Sequence, residues 1–318
     1  MDSYKRDAIW KALDFTPSAA QRAILDDDHQ EPLIMGGYRG GKSRVGSMKA
    51  LILTLQFLAD YPVNSGQVAW LVGADYERRR AEFNHPEGSL QIDLQKLFGR
   101  DVKVSKRIDP GFIEIATPSR KPFIIRTKSA ADPTSLGMES PVWIVACEAP
   151  QLTQDVYFRL HSRVSEARAR FPGYGMLMME GTLENTGRSQ GLMSWYASTW
   201  TKWQAKDIQE RENAISFSLP SHSNTFLYPL GKDDPQIQFL RDTLPADIFS
   251  ERHEGIPVPP TNRVFPTFEP AVHIRDCPYN EDEPIYIGID PGYSGRSSTY
   301  TVEVAQRFPI RDTGQEQW

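Results

Sequence analysis

Cysteine is scarce: Cys147 and Cys277 are the only two in 318 residues. Two thiols build no disulfide framework and lack metal-site spacing, which suits a reducing compartment and points away from thiol catalysis. Long apolar runs are missing too. The longest falls well short of the ~20 residues that span a bilayer, and the N-terminus lacks the charged-then-apolar pattern of a signal peptide. A cytoplasmic protein with no membrane partner is expected. There is no excess of basic charge either: 36 Lys and Arg face 41 Asp and Glu, a net charge of -5. That removes a global electrostatic signal for nucleic acid but leaves room for a local basic groove. No internal repeat or low-complexity tract interrupts the chain. Its length allows two domains, or one large α/β domain with an appendage.

What is present is concentrated in Gly36-Gly37-Tyr38-Arg39-Gly40-Gly41-Lys42-Ser43, which matches the phosphate-binding loop G-x-x-x-x-G-K-S/T at every specified position. Pro32 to Met35 reads as a buried strand feeding the loop. Val45, Met48, Ile52, Leu55 and Ala59 recur at helical spacing after it, up to a stop at Tyr61-Pro62. Glycines let successive backbone N–H groups converge on phosphate oxygens, and the helix N-terminus adds positive potential. Lys42 is then the residue for the β/γ-phosphates and the Ser43 hydroxyl the ligand for Mg²⁺, so ATP and Mg²⁺ are the expected cofactors. Upstream, Thr16-Pro17 looks like the start of a short helix over Ser18 to Leu25 that carries Gln21. That amide is either an adenine reader or an ordinary solvated helix residue.

Downstream the chain alternates between strand and helix. Val68 to Val72 is a strand, Asp75 to Phe83 a charged helix, and Phe112 to Ile115 and Phe123 to Arg126 are further strands. Val142 to Ala146 is an apolar strand that delivers Cys147 and Glu148 at its C-terminal end, where ligands of open α/β sheets bind. Glu148 is the candidate catalytic base for an attacking water; the plainer alternative is an exposed loop glutamate. Cys147 stands where an aspartate commonly helps hold Mg²⁺, and a thiol is a poor ligand for that hard cation. Ser43, the phosphates and water are therefore expected to carry the metal. Thr153 caps a helix bearing Arg159 and Arg163, each a solvated residue or a phosphate contact. Met176 to Met179 is another buried strand, ending in Glu180-Gly181-Thr182.

From Ser189 the texture changes. Trp195, Tyr196, Trp200 and Trp203 crowd one helix, to fill a core or to stack bases. Ile215 to Leu219 alternates like a strand, and Glu254 to Pro260 reads as an extended linker. Ile285 to Asp290 is a strand running into the turn Pro291-Gly292, with Ser298 to Ala305 able to pair with it.

Taken in order, these motifs resemble the large terminase subunit of tailed bacteriophages. The resemblance rests on the glutamine element, the GGYRGGKS loop, Asp132-Pro133-Thr134-Ser135-Leu136-Gly137 leading into Trp143 to Ala149, the Gly181-Thr182 pair, Arg263 to Phe268, and Gly288-Ile289-Asp290-Pro291-Gly292. It implies a mostly parallel P-loop NTPase sheet of RecA type flanked by helices over 1–188, a small subdomain and linker over 189–262, and the opening hairpin of an RNase H-like nuclease over 263–318. It further implies ATP hydrolysis coupled to translocation of double-stranded DNA into a prohead. The implied partners are the portal protein, the terminase small subunit and other copies in a ring, in the host cytoplasm and transiently on the prohead. By the same resemblance Gln21 and residues 36–43 bind ATP, Arg39 supplies transition-state charge, and Gly181 and Thr182 couple hydrolysis to movement. Asp290 is the first carboxylate of a nuclease site using Mg²⁺ or Mn²⁺, with the later ones expected beyond Trp318. A P-loop kinase, a helicase and a nucleotide-gated adaptor without turnover are the rival readings.

Overall fold

The computed structural model describes residues 3–63, 66–77, 80–86, 88–105, 110–119, 121–184, 194–259, 279–290, 301–306, 308–309 and 316–317. By contacts the chain divides into Met1–Arg263 and Val264–Trp318.

The larger unit is built on one eight-stranded sheet. Its strands are β1 (Glu31–Gly36), β2 (Val68–Gly73), β3 (Val102–Val104), β4 (Phe112–Ile115), β5 (Phe123–Ser129), β6 (Trp143–Ala146), β7 (Met176–Gly181) and β8 (Ala214–Leu219). They lie in the order β3-β4-β5-β2-β6-β7-β1-β8. Pairing is parallel from β5 to β8 and antiparallel across β3, β4 and β5. The central strands are buried on both faces and mostly apolar, with Glu31 of β1 and Glu180 of β7 as buried charged exceptions. Successive residues of one strand enter opposite cores: Ile34, Trp143 and Val145 pack on one side, Leu33, Met35, Ile144 and Ala146 on the other.

The helices are α1 (Ser3–Ala12), α2 (Ala19–Asp26), α3 (Lys42–Asp60), α4 (Arg80–Asn84), α5 (Leu90–Phe98), α6 (Gln154–Arg170), α7 (Trp195–Lys202), α8 (Lys206–Glu212), α9 (Pro235–Thr243) and α10 (Ala246–Phe249). Helix α2 is capped by Ser18 in a reciprocal capping box with Gln21. The cap therefore falls at Ser18, two residues beyond the Thr16 cap expected from sequence, because a serine with glutamine at the third helical position satisfies two N–H groups together. The expected helix over 75–83 is shorter: residues 75–77 are not helical and α4 begins at Arg80. Arg78 and Arg79 lie outside the described residues.

Helix α3 shows more than one apolar face, since every residue from Val45 to Thr54 is buried. Lys49 is inside that run and donates to the backbone carbonyls of Leu25 (3.1 Å), Ile24 and Asp27. It thereby satisfies carbonyls at the C-terminal end of α2 that the helix itself leaves free. Burial, the larger influence, lowers its pKa to about 8 against the pull of Asp27.

Residues 189–262 were set apart in the sequence as a smaller subdomain. Their strand β8 instead joins the main sheet, parallel to β1 along six registered pairs. Alternation revealed the strand but carries no information on which sheet takes it. The four aromatics of α7 and its end fill a core: Tyr196 and Trp203 are buried, and the Trp195 and Trp200 indoles donate to the carbonyls of Leu152 and Phe217.

In the smaller unit, β9 (Tyr286–Asp290) pairs antiparallel with β10 (Thr301–Ala305). Asp290 ends β9 opposite Thr301. Its side chain, and the segment 263–268 that the sequence singled out, lie outside the described residues.

Candidate active site

The loop between β1 and α3 is shaped by contacts that leave little freedom. Gly41, the N-cap of α3, sits at φ 89° and offers no side-chain cap, which leaves the first-turn N–H groups of α3 without a capping side chain among the described residues and suited to an anion. Arg39 also takes a left-handed conformation, φ 60°, which costs a non-glycine residue ~1 kcal/mol or more. The loop is held there from several sides. The Asn224 amide donates to the Arg39 carbonyl at 2.7 Å, the Ser221 hydroxyl to the Tyr38 carbonyl at 2.6 Å, and Gly37 N–H to the Leu219 carbonyl at 2.8 Å. Gly40 lies so close to the Leu219 carbonyl that a Cβ would meet it at 2.8 Å. The Arg39 side chain is exposed, at the rim of a cavity of about 640 Å³ lined by Tyr38, Gly41, Lys42, Ser43, Asn224 and Leu227. Gln21 is buried, its Oε1 engaged by Ser18 N–H at 2.9 Å, while its amide nitrogen faces Gly41.

Three strand ends meet beside this loop. Glu148 follows β6 in a left-handed conformation, φ 48° and ψ 45°, which turns its side chain back toward the sheet edge. Its Oε1 is 3.4 Å from Lys42 Nζ, and its Oε2 accepts from Thr182 N–H at 3.3 Å. The Thr182 hydroxyl donates to the Gly36 carbonyl at 2.8 Å. Gly181 is jammed against Pro150, with no room for a Cβ. Lys42, Glu148 and Thr182, chosen separately in the sequence, are thus joined by an ion pair and a hydrogen bond, with Gly181 packed beside them. Arg159 is not among them: it pairs with Asp155 at 2.9 Å in solvent, an exposed i,i+4 pair worth only about 0.3–0.5 kcal/mol.

The sequence reading missed two acids. Glu82 of α4 and Glu180 of β7 are 1% and 0% exposed, and a carboxylate oxygen of each lies with Cys147 Sγ in a group whose atoms are within 4.8 Å of one another. Glu180 Oε1 accepts from Glu148 N–H at 3.3 Å, and the Ser43 hydroxyl and the Cys147 thiol both lie beside the Glu82 carboxyl as donors for such a bond. Burial raises the pKa of Glu82 despite those donors. Burial, then the neighbouring charges of Glu82 and Glu148, raises Glu180 well above the usual range, and the same surroundings push the Cys147 thiol up. A signal for Glu180 was available, since a charged residue ending an otherwise apolar buried strand needs a reason. For Glu82, in a short helix distant in sequence, there was none.

Among solved structures, the ATPase domain of the large terminase of Thermus phage P74-26 superposes with a TM-score of 0.57 at 16% identity, over 78% of this chain and 97% of that one. The large terminase of another thermophilic bacteriophage, in complex with ADP, superposes with a TM-score of 0.52 at 15% identity, over 91% of this chain and 65% of that one. This chain has the fold of phage large terminase ATPase domains. It is a mixed α/β P-loop NTPase fold with a mostly parallel eight-stranded sheet. No protein-family model and no curated protein matches the chain.

Proposed function

We propose that this chain is the ATP-hydrolysing motor subunit of a viral terminase, which drives double-stranded DNA into a prohead. The observation that carries the reading is the convergence of Lys42, Glu148 and Thr182 at the ends of three adjacent strands. The nucleotide binds with its phosphates over residues 36–43, Lys42 moving from Glu148 to the β/γ oxygens, and Gln21 close to the loop at Gly41. Glu148, released from the ammonium, then orients and deprotonates water, a role typically worth 10²–10⁴-fold. Arg39, exposed at the cavity rim, supplies charge to the transferring phosphoryl group.

The Thr182 N–H bond to Glu148 and the Thr182 hydroxyl bond to Gly36 tie base and loop to β7. A change at the γ-phosphate is thereby passed to the strand bearing Gly181-Thr182, the coupling step of the motor. A divalent cation held at Ser43 would supply charge that neutralises the phosphates. The Ser43 hydroxyl, already among carboxylate oxygens, suits that hard cation.

The portal, the small subunit and further copies in a ring are the partners this function requires, in the host cytoplasm and on the prohead during packaging. Asp290 would open a two-metal nuclease site, and one carboxylate does not complete such a site. Cys147 favours a second reading, an adaptor that binds nucleotide without turning it over. Steady-state ATP hydrolysis, alone and with DNA and portal-bearing proheads, separates them: the motor hydrolyses ATP and is stimulated, while the adaptor binds ATP and releases no phosphate.

A further inference from the structure

Two buried carboxylates beside a phosphate-binding loop need a partner, and the protein provides little. Among the described residues, Glu82 Oε2 and Glu180 Oε2 have no hydrogen-bond partner, in side chains almost fully withdrawn from water. An ionised carboxylate in that state is costly unless paired with a cation or holding a metal. Lys42 is engaged with Glu148 and leaves for phosphate once nucleotide binds.

The backbone of α3 packs directly beside the group. Gly46, one turn along α3 from Lys42, has only hydrogen where a Cβ would lie 3.5 Å from Glu82 Cγ and 3.8 Å from Glu180 Cγ. The remaining Glu180 oxygen is fixed by Glu148 N–H, and Glu82 reaches the Ser43 hydroxyl. We infer that Glu82 and Glu180 together hold the divalent cation of the nucleotide site, in place of the strand-end acid that Cys147 does not provide. Oxygen donors suit Mg²⁺ or Mn²⁺, whereas the Cys147 sulfur does not; the thiol fills the space an aspartate would take. The inference rests on the nucleotide-site reading above.

The test uses the full chain and Mn²⁺ as probe, with free Mn²⁺ measured by electron paramagnetic resonance in the presence and absence of ADP. Binding of ADP in EDTA is measured separately, and melting without metal controls for folding. Glu82→Gln and Glu180→Gln are near-isosteric and remove mutual repulsion, so both should melt no lower than wild type. Each should weaken Mn²⁺ binding to the ADP complex by about 10–100-fold, the usual cost of losing a ligand or its support. Cys147→Ser should leave it unchanged, and ADP binding in EDTA should be unaffected in all three. Wild-type Mn²⁺ affinity in both glutamine variants would overturn the inference and leave a proton-sharing acid pair, with the ATPase reading intact. A wild-type chain that binds Mn²⁺, with loss in the glutamine variants, but binds no ADP would keep the acid pair and remove the nucleotide reading. A tenfold loss in Cys147→Ser would overturn the assignment to the two glutamates alone.

Discussion

Glu148 is placed by a backbone conformation that few residues adopt willingly, and its two oxygens face different duties, one toward Lys42 and one toward Thr182. Glu148→Gln can still accept from Thr182 N–H through its one amide oxygen, but it loses the ion pair with Lys42 and cannot take a proton. It should therefore retain ATP binding and hydrolyse at least ~100-fold more slowly; loss of binding with turnover per bound nucleotide unchanged would make the residue structural. Cys147 is a different case. In the sequence it stands where an aspartate commonly helps hold Mg²⁺. With Glu82 and Glu180 alongside, Cys147→Asp adds a third carboxylate to a buried group. It should destabilise the metal-free protein by at least about 2 kcal/mol, recovered in part by Mg²⁺ and ADP, as thermal melts would show. Melting equal to wild type in EDTA would contradict that. The residues legible beforehand were those whose chemistry is written in local patterns. Glu82 was hidden because only the packing of α4 on α3 brings it to Ser43.

Strands and long helices were readable because burial on both faces leaves an unbroken apolar run, as in β1, β2, β6 and β7, and burial of one stripe leaves a helical period, as in α6. What periodicity cannot carry is partnership, which is why β8 was assigned to a separate subdomain rather than to the edge of the main sheet. The contact between β7 and the turn after β6 is equally invisible in sequence, yet Gly181 has no space for a side chain against Pro150 and Ala149. Gly181→Ala should cost about 1–3 kcal/mol through forced displacement. It should also slow hydrolysis more than it weakens nucleotide binding, since Glu148 and Thr182 move apart. Full activity with an unchanged melting temperature would refute the coupling of these strands.

Lys49, joining α2 and α3, gives a pH signature. Its native pKa of about 8 lies below its ordinary 10.5, so between these values the unfolded chain holds a proton that the native one has released. Wild-type stability should then rise with pH relative to Lys49→Met from about pH 8 to 10, by at most about 3 kcal/mol, and show no such trend below pH 8. Urea melts of both proteins at several pH values check this; parallel curves throughout would contradict it.

At the scale of the whole molecule, the glycine-rich loop, Glu148 and the buried acids all belong to the unit Met1–Arg263. The negative net charge gives no general attraction for DNA, so the proposed packaging function calls for a local DNA-binding surface rather than a global one. The central claim is that this chain turns over ATP through its glycine-rich loop and couples that turnover to DNA. The most direct measurement is phosphate release from ATP by the purified chain and by Lys42→Ala, each with and without double-stranded DNA and portal-bearing proheads. The account predicts hydrolysis by the wild type, stimulated by DNA with proheads, and its abolition in a Lys42→Ala protein that remains folded. Equal phosphate release by the two proteins, or none by the wild type under any of these conditions, would contradict it.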